Sequence, residues 1–196
     1  GALATSTPVV YDRAWLFHDG GAPYRKRETG VEAIPGVNYR MTEVTAAIMI
    51  EQLKKIEKII GMMRKRKEAI KKEISDISAI EFRRLPDYEG DTAICLVFYL
   101  QTAQKAQQFE RALRAENIYT ISGGYPSIIY SPDNFDGHVF VQWKHIFRGI
   151  DRVLRKYSRS LDIMSRAVHL DISPLLSDDD INSIIEGVHK VANAVL

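Results

Sequence analysis

Cysteine is nearly absent from this chain, since Cys95 is the one thiol in 196 residues. A disulfide framework within the chain is therefore excluded, and a cysteine-based zinc site is not expected. This cysteine usage fits a reducing, cytoplasmic setting, which we expect for the protein. No apolar run approaches the roughly 20 residues that a membrane-spanning helix needs. Residues 1–6 lack the features of a signal peptide and do not begin with Met, so we expect the chain to begin inside a larger protein.

A charge excess of either sign is missing as well. The 27 Lys and Arg residues nearly balance 25 Asp and Glu residues, which leaves a formal net charge of +2. Such a surface does not call for nucleic acid or an anionic membrane, and we predict neither as a partner. The basic run Arg64–Lys67 is a local exception. We interpret it as a solvated helix face, because nucleic-acid-binding domains carry a wider basic footprint.

Several catalytic and metal-binding motifs are also absent. The sequence has no Gly-x-Ser-x-Gly, Walker or Rossmann pattern, and none of its five histidines has His-Glu-x-x-His spacing. We therefore predict no metal site. The acidic run Asp178–Asp180 follows Ser177, an arrangement typical of a helix cap. Among the histidines, His18 and His138 are the better binding candidates, because both lie beside glycine-containing loops.

The first 76 residues show two helical patterns. A short strand is predicted at residues 1–6, and a helix then runs from Pro8 to the Gly20-Gly21 pair. After a glycine- and proline-rich loop, one long helix is predicted over residues 42–76. Its first part is apolar nearly all round, and its second part has one apolar stripe that Lys67 interrupts. A helix of about 33 residues would be roughly 50 Å long, so we interpret it as a connector between two domains.

Beyond residue 76 the pattern is mixed. Strands are predicted at residues 80–83, 92–100, 118–121 and 167–172. Helices are predicted at residues 102–116, 143–150 and 157–165 and from Ser177 to the end, with a long loop at 123–143. The expected fold class is α+β, with three or four strands and helices on one side of the sheet. The expected domains are a large-domain end (1–41), the connecting helix (42–76) and a small domain (77–196).

The segment Gly36-Val37-Asn38-Tyr39-Arg40-Met41-Thr42-Glu43 lies at the start of the long helix. A helix N-terminus suits a phosphate or a carboxylate. An Asn amide adds a neutral donor there, and an Arg guanidinium adds a bidentate cation. By residue type alone, Asn38 as a turn or cap residue and Arg40 as a surface cation are the simpler interpretation.

Several segments, taken in order, resemble the DegT/DnrJ/StrS family of pyridoxal-phosphate (PLP) dependent sugar aminotransferases. Residues 11–20 resemble a helix that ends in a His-Gly or His-Asp-His-Gly pattern. Residues 36–43 are close to the family's Gly-x-Asn-Tyr/Phe-Arg-Met-Ser/Thr-Glu block. Residues 46–53 fall where the family has its Gln-Ala-Ala and Gln-Leu pairs, and residues 177–191 resemble its closing helix. The resemblance covers essentially the whole chain and is weakest over residues 76–165.

The resemblance implies a fold and a set of site residues. The fold is the C-terminal part of a fold-type I aminotransferase. Asn38 is implied to contact the PLP phosphate of the neighbouring subunit. Tyr39 and Arg40 are implied to lie at the same shared site and to contact substrate. Tyr125, Tyr130 and His138 are implied to line the substrate entrance.

The family's Schiff-base lysine lies upstream of the strand that begins at Gly1, and the first lysine here is Lys26, in a loop. The resemblance thus implies a segment that is inactive alone. In the complete enzyme, a homodimer with a large-domain segment or subunit, an amino group would pass from glutamate to a keto-sugar, in nucleotide-linked form. The residues leave the wider family's dehydratase chemistry open. They also leave open a non-catalytic relative that dimerises or regulates a partner through the long helix.

Overall fold

A computed structural model describes residues 2–21, 30–118 and 158–196. The chain divides into two compact units, residues 1–55 and residues 56–196, which we call unit 1 and unit 2. The predictions for residues 119–157, which include the body of the strand at 118–121, the loop at 123–143 and the helix at 143–150, lie outside the described residues. In the part of the chain that is described, no helix is both long and apolar enough to cross a membrane.

Unit 1 contains two helices. Helix α1 spans Pro8–His18, with proline in its first turn, and helix α2 spans Glu43–Leu53. Thr42 caps α2, because its hydroxyl accepts a hydrogen bond from the Thr45 backbone N–H at 3.2 Å. The predicted strand at residues 1–6 is wrong over its described part, where residues 2–6 are irregular. A strand requires a hydrogen-bonded neighbour, and none of the described residues pairs with this segment.

The predicted single helix over residues 42–76 is wrong in its continuity. Helix α2 ends at Leu53, and helix α3 spans Ile56–Glu73. Between them the Lys54 N–H lies 3.4 Å from the Ile50 carbonyl, and the Lys55 N–H donates to the Gln52 carbonyl at 3.0 Å. A bond over three residues tightens the turn and interrupts the α-helical ladder. The break falls where the sequence changes from apolar all round to a single apolar stripe.

Unit 2 combines a small sheet with four described helices. The strands are β1 (Glu81–Phe82), β2 (Cys95–Tyr99) and β3 (Ala167–Asp171). With α3 come helices α4 (Ala103–Ala115), α5 (Ser158–Ser165) and α6 (Asp178–Val195). The sheet order is β1-β2-β3, and both pairs are antiparallel. Three of the predicted strands are thereby confirmed, although each is shorter than predicted.

The core of unit 2 lies on one face of this sheet. Phe98 of β2 is opposite Phe82 of β1 and Val168 of β3. Its ring meets those of Phe82 and Phe109 edge-on, at centroid distances of 6.4 and 5.9 Å. Buried residues of α3, α4 and α6, including Ile70, join the same cluster. The predicted α+β arrangement, with helices packed against one side of the sheet, is confirmed.

The basic run in α3 is only partly a solvated face, which corrects our interpretation. Lys67 is buried, and its ammonium lies 2.5 Å from the Asp91 carboxylate. Burial alone would raise the pKa of Asp91, but hydrogen bonds from Lys67 and from the Ala93 backbone N–H outweigh it and lower the pKa. Arg64 Nε donates to the Asp91 carbonyl at 2.8 Å, and Arg66 Nε donates to a second loop carbonyl at 2.7 Å. This run therefore fastens loops onto α3.

The acidic run at the start of α6 forms a cap, as the sequence predicts. The Asp180 backbone N–H donates to the Ser177 hydroxyl at 3.1 Å, and the Ser177 backbone N–H donates to the Asp180 carboxylate at 2.8 Å. This reciprocal pair is a capping box. The hydrogen bonds from Ser177 hold the pKa of Asp180 below its usual value.

Candidate functional site

The segment at residues 36–40 is held against the end of α1 by backbone hydrogen bonds. The Val37 N–H donates to the Phe17 carbonyl at 2.7 Å, and the Tyr39 N–H donates to the His18 carbonyl at 2.8 Å. These two bonds use carbonyls that the end of a helix leaves unpaired. The candidate residues therefore lie next to the C-terminal end of α1 in space, although about 20 residues separate the two segments in sequence.

The glycine at the start of this segment is required by its close packing. A Cβ atom on Gly36 would lie 2.6 Å from the Leu16 carbonyl oxygen and 2.7 Å from the Phe17 carbonyl oxygen. Gly21 faces the same segment and has a φ of +73°, in the left-handed region. Any side chain at Gly36 would push the segment away from α1 and move the residues that follow.

Asn38 and Arg40 are joined by two hydrogen bonds. The Arg40 Nε–H donates to the Asn38 side-chain oxygen at 3.1 Å, and the Arg40 backbone N–H donates to the same oxygen at 3.3 Å. Because both partners are donors, the contacted amide atom must be the oxygen. The amide nitrogen, with its two N–H groups, is on the other side of the exposed Asn38 side chain. Among the described residues it has no hydrogen-bond acceptor.

Arg40 is also fixed by a buried acid. Its Nε lies 3.0 Å from a carboxylate oxygen of Asp19, whose side chain is 5% exposed against 44% for Arg40. Asp19 and Asn38 also form a bridge between their backbones. The recorded contacts of Arg40 use Nε, so within the described residues its two Nη groups keep their donors for another partner.

Tyr39 and Arg40 line an open groove of about 1110 Å³ in unit 1, and His18 is on its wall. Tyr39 is 71% exposed, and its ring meets Phe17 edge-on at 6.2 Å. Asn38 does not line this groove. The structure thus brings Asn38, Tyr39 and Arg40 together, with two of the three on the groove.

His18 has a defined orientation on this wall. Its Nδ1 lies 2.7 Å from the Trp15 carbonyl oxygen, so Nδ1 carries the proton and donates. Its ring packs edge-on against the Trp15 ring at 5.3 Å. The Trp15 indole N–H is buried and has no partner among the described residues. In the neutral ring His18 Nε2 is then an acceptor, whereas the Trp15 donor is enclosed behind it.

Two points qualify the predicted set of residues. Tyr125, Tyr130 and His138 lie outside the described residues and stay predictions. Asp19 is an additional member that the sequence analysis missed. Its signal was an acidic residue at the C-terminal end of a helix, where the macrodipole disfavours negative charge.

Similar structures come from bacterial aminotransferases and extend well beyond this chain. The aminotransferase TlmJ from Streptoalloteichus hindustanus matches 98% of this chain and 47% of its own, with a TM-score of 0.66 and 16% identity. Helicobacter pylori PseC, an aminotransferase in pseudoaminic acid biosynthesis, matches 97% and 48%, with a TM-score of 0.68 and 14% identity. Spr1654 from Streptococcus pneumoniae, in its PLP form, matches 100% and 46%, with a TM-score of 0.65 and 14% identity.

These likenesses define the fold as part of a fold-type I aminotransferase, and the chain spans about half the length of the structures it matches. The sequence match is to the DegT/DnrJ/EryC1/StrS aminotransferase family over residues 1–189. The chain belongs to that family, which confirms the resemblance drawn from residues 11–20, 36–53 and 177–191.

Proposed function

We propose that this chain is the C-terminal segment of a PLP-dependent aminotransferase that moves an amino group from glutamate to a nucleotide-linked keto-sugar. The observation that carries the proposal is the presentation of the Asn38 amide. Arg40 occupies its oxygen, so its N–H groups are offered to an acceptor just before α2. Membership of a sugar aminotransferase family supplies the class of reaction.

The residues present fit the phosphate group of PLP. A phosphate needs donors, and the Asn38 amide offers two without a competing charge. Helix α2 begins at Glu43, and the backbone N–H groups of its first turn add a partial positive charge. When bound, PLP supplies the electron sink that amino transfer requires. Asn38 would hold its phosphate end, and the lysine that binds it covalently would come from another segment.

Arg40 and Tyr39 are suited to the substrates. The Nη groups of Arg40 match the spacing of a carboxylate, the group that glutamate would present. The buried carboxylate of Asp19 balances part of the Arg40 charge and limits its movement. Tyr39 places an exposed ring and hydroxyl beside it, on the same groove.

The proposed partner is the large-domain segment, in the same polypeptide or as a separate subunit, within a homodimer whose site is shared. Helix α2 has no buried residue, although most of its side chains are apolar. Val44 is 72% exposed, and Ile48 and Leu53 are 58% and 56% exposed. A helix that is apolar on all sides is stable when protein surrounds it. The relatives' remaining half provides a candidate cover.

The exposed α2 also suits a second function. A non-catalytic relative that dimerises with an aminotransferase, or regulates one, would bury the same helix. The two proposals agree on association and differ on chemistry. If the chain is part of the enzyme, substitutions of Asn38 and Arg40 should reduce turnover. If it is a non-catalytic relative, they should not.

Reconstitution tests the proposal. The chain would be combined with the polypeptide that carries the Schiff-base lysine, from the same reading frame or a separate one, and we call the product the complete enzyme. We expect a stable complex that converts glutamate to 2-oxoglutarate when a nucleotide-linked keto-sugar is present. The chain alone should do neither, and borohydride reduction with one equivalent of PLP should label no single lysine in it.

A matched pair of variants separates the functions. Ile48→Asp on α2 should prevent complex formation, whereas Gln107→Asp on an exposed position of α4 should not. A complex without amino transfer would favour the regulatory function. If both variants assemble like the unmodified chain, the role of α2 as the covered surface is wrong.

A further inference from the structure

We propose that Asp19 is a positioning residue for cofactor binding. Through Arg40, it determines that the Asn38 amide offers its N–H groups, and not its oxygen, to the phosphate. This inference rests on the proposed function. It adds a residue that contacts neither phosphate nor substrate and yet determines how the contacting residue is oriented.

The positioning acts through a short series of contacts. The Asp19 carboxylate lies 3.0 Å from Arg40 Nε. The same Nε–H group reaches the Asn38 side-chain oxygen at 3.1 Å. Backbone pairing of Asp19 with Asn38 keeps the two ends of the series at a fixed spacing. Arg40 Nε therefore donates its hydrogen to the amide oxygen while it lies within ion-pair distance of a buried anion.

This arrangement matters because an amide has two unlike ends. An Asn side chain can rotate to present either its oxygen or its N–H groups. If the oxygen faced a phosphate, two acceptors would meet and repel. Arg40 is itself 44% exposed, so without an anchor its long side chain would sample other rotamers. The Asp19 carboxylate, at 5% exposure, is an anchor that water cannot easily replace.

Helix stability does not explain an acid at this position. Asp19 is the C-terminal cap of α1, where a negative charge is unfavourable to the helix dipole. Burying that charge adds a further cost unless a cation compensates it. Arg40 is such a cation. Because the same Nε group also contacts the Asn38 side-chain oxygen, the ion pair that compensates Asp19 also holds the amide.

The first measurement is the PLP dissociation constant of the complete enzyme. Asp19→Asn keeps the size of the side chain and removes its charge, and we expect it to weaken PLP binding about tenfold, as for a lost hydrogen bond to a charged group. The matched control is Asp162→Asn, which breaks an Arg Nε–Asp contact of 3.2 Å with an exposed carboxylate in unit 2. The control should leave PLP affinity unchanged.

A double-mutant cycle separates positioning from general structural support. If Asp19 acts through the amide, Asp19→Asn should add little to the effect of Asn38→Ala. Fully additive losses would overturn the proposal. An unchanged affinity in Asp19→Asn, when Asn38→Ala does weaken binding, would also overturn it and leave the proposed function standing. If Asn38→Ala does not change the affinity for PLP, Asn38 does not contact the phosphate, and both the proposed function of Asn38 and the positioning role of Asp19 are wrong.

A second measurement needs no cofactor. In the 196-residue chain, the Arg40 Nε–H signal should exchange slowly with water, because the N–H is hydrogen-bonded to Asn38 and the guanidinium is held by the ion pair with Asp19. Asp19→Asn should speed this exchange several-fold, since the guanidinium loses the charged partner that restrains it beside Asn38. The Arg166 signal should stay unchanged in that variant. An Arg40 signal that does not respond to Asp19→Asn would overturn the positioning role.

Discussion

The two units of this chain are ordered by different forces. Unit 2 has a continuous apolar core in which Phe98, Phe109 and Val188 are completely buried. In the described residues of unit 1, Leu16 is the one buried apolar side chain, and the other buried side chains belong to Asp12 and Asp19. Unit 2 thus gains its stability from apolar burial, whereas unit 1 depends on backbone hydrogen bonds and buried acids.

This difference between the units indicates that the residues that stabilise the fold and the residues suited to bind a ligand lie in different parts of the chain. A core such as that of unit 2 tolerates little change in volume. Unit 1 keeps residues 36–40 in place through short polar contacts and leaves α2 exposed. Its apolar surface is suited to burial against another segment, and its polar residues are suited to a ligand. Stability and binding should therefore respond to different substitutions.

The largest loss of stability should come from the core of unit 2. Phe98→Ala removes a side chain with no exposed surface, and we expect it to lower the free energy of unfolding by about 4 kcal/mol. Urea unfolding followed by circular dichroism measures this loss. The control, Val44→Ala on α2, replaces a side chain that is 72% exposed and should change it by less than about 0.5 kcal/mol. Similar losses in both variants would remove the distinction between the units.

A smaller loss is expected from the buried ion pair. Asp91→Asn leaves Lys67 charged and 4% exposed, and should cost about 3 kcal/mol in unfolding free energy. The control is Glu51→Gln, which breaks the Lys54–Glu51 pair. That pair has the same 2.5 Å separation but is 63% and 62% exposed. We expect a cost of less than about 1 kcal/mol there. Equal costs would show that burial does not distinguish the pairs.

The next effect is a pH dependence in unit 2. Burial lowers the pKa of His169 below its ordinary value of 6.5; the nearby Asp171 partly opposes this, and Arg83 adds to it. The unfolded chain therefore binds a proton more readily than the folded chain, and stability should fall as the pH falls through 6.5. Urea midpoints at pH 7.5 and 5.5 measure this fall. It should shrink in His169→Gln, and an identical fall in that variant would contradict the assignment.

The smallest expected effect is on the stability of unit 2 when a contact in unit 1 is broken. Arg40→Gln removes the cation that faces the buried Asp19 carboxylate, but its effect on urea unfolding of unit 2 should be within about 0.5 kcal/mol, because Arg40 and Asp19 both belong to unit 1. Its KM for glutamate in the complete enzyme should nevertheless rise. A large change in the unfolding of unit 2 would instead mean that the units fold cooperatively.

The sequence predicted most of unit 2 and little of the polar network of unit 1. Apolar spacing identified β2, α4 and α6, because their buried faces follow the period of the element. Lys67 stood out in the sequence as an interruption of the apolar stripe of α3, but its ion pair was not predicted. Its partner Asp91 is 24 residues away, and no local sequence pattern indicates such a pair. The break at Lys54 was missed because neither glycine nor proline marks it.

In the candidate site the segment was predicted, but its geometry was not. Asn38 and Arg40 were identified by their order in a recognised block. The orientation of the Asn38 amide depends on Arg40, and that of Arg40 depends on Asp19, which precedes it by 21 residues. Hydrogen bonds between distant segments follow no sequence period, so such a network emerges from the structure alone.

The central claim is that Asn38 acts in a site whose lysine lies in another subunit, and subunit mixing tests it most directly. One form of the complete enzyme would carry Asn38→Asp, and the other would lack the Schiff-base lysine; each should be inactive alone. If the site is shared across a homodimer, re-equilibrated equal mixtures should recover about a quarter of the unmodified activity, because mixed dimers contain one intact site. A mixture that stays as inactive as its parents would contradict the account.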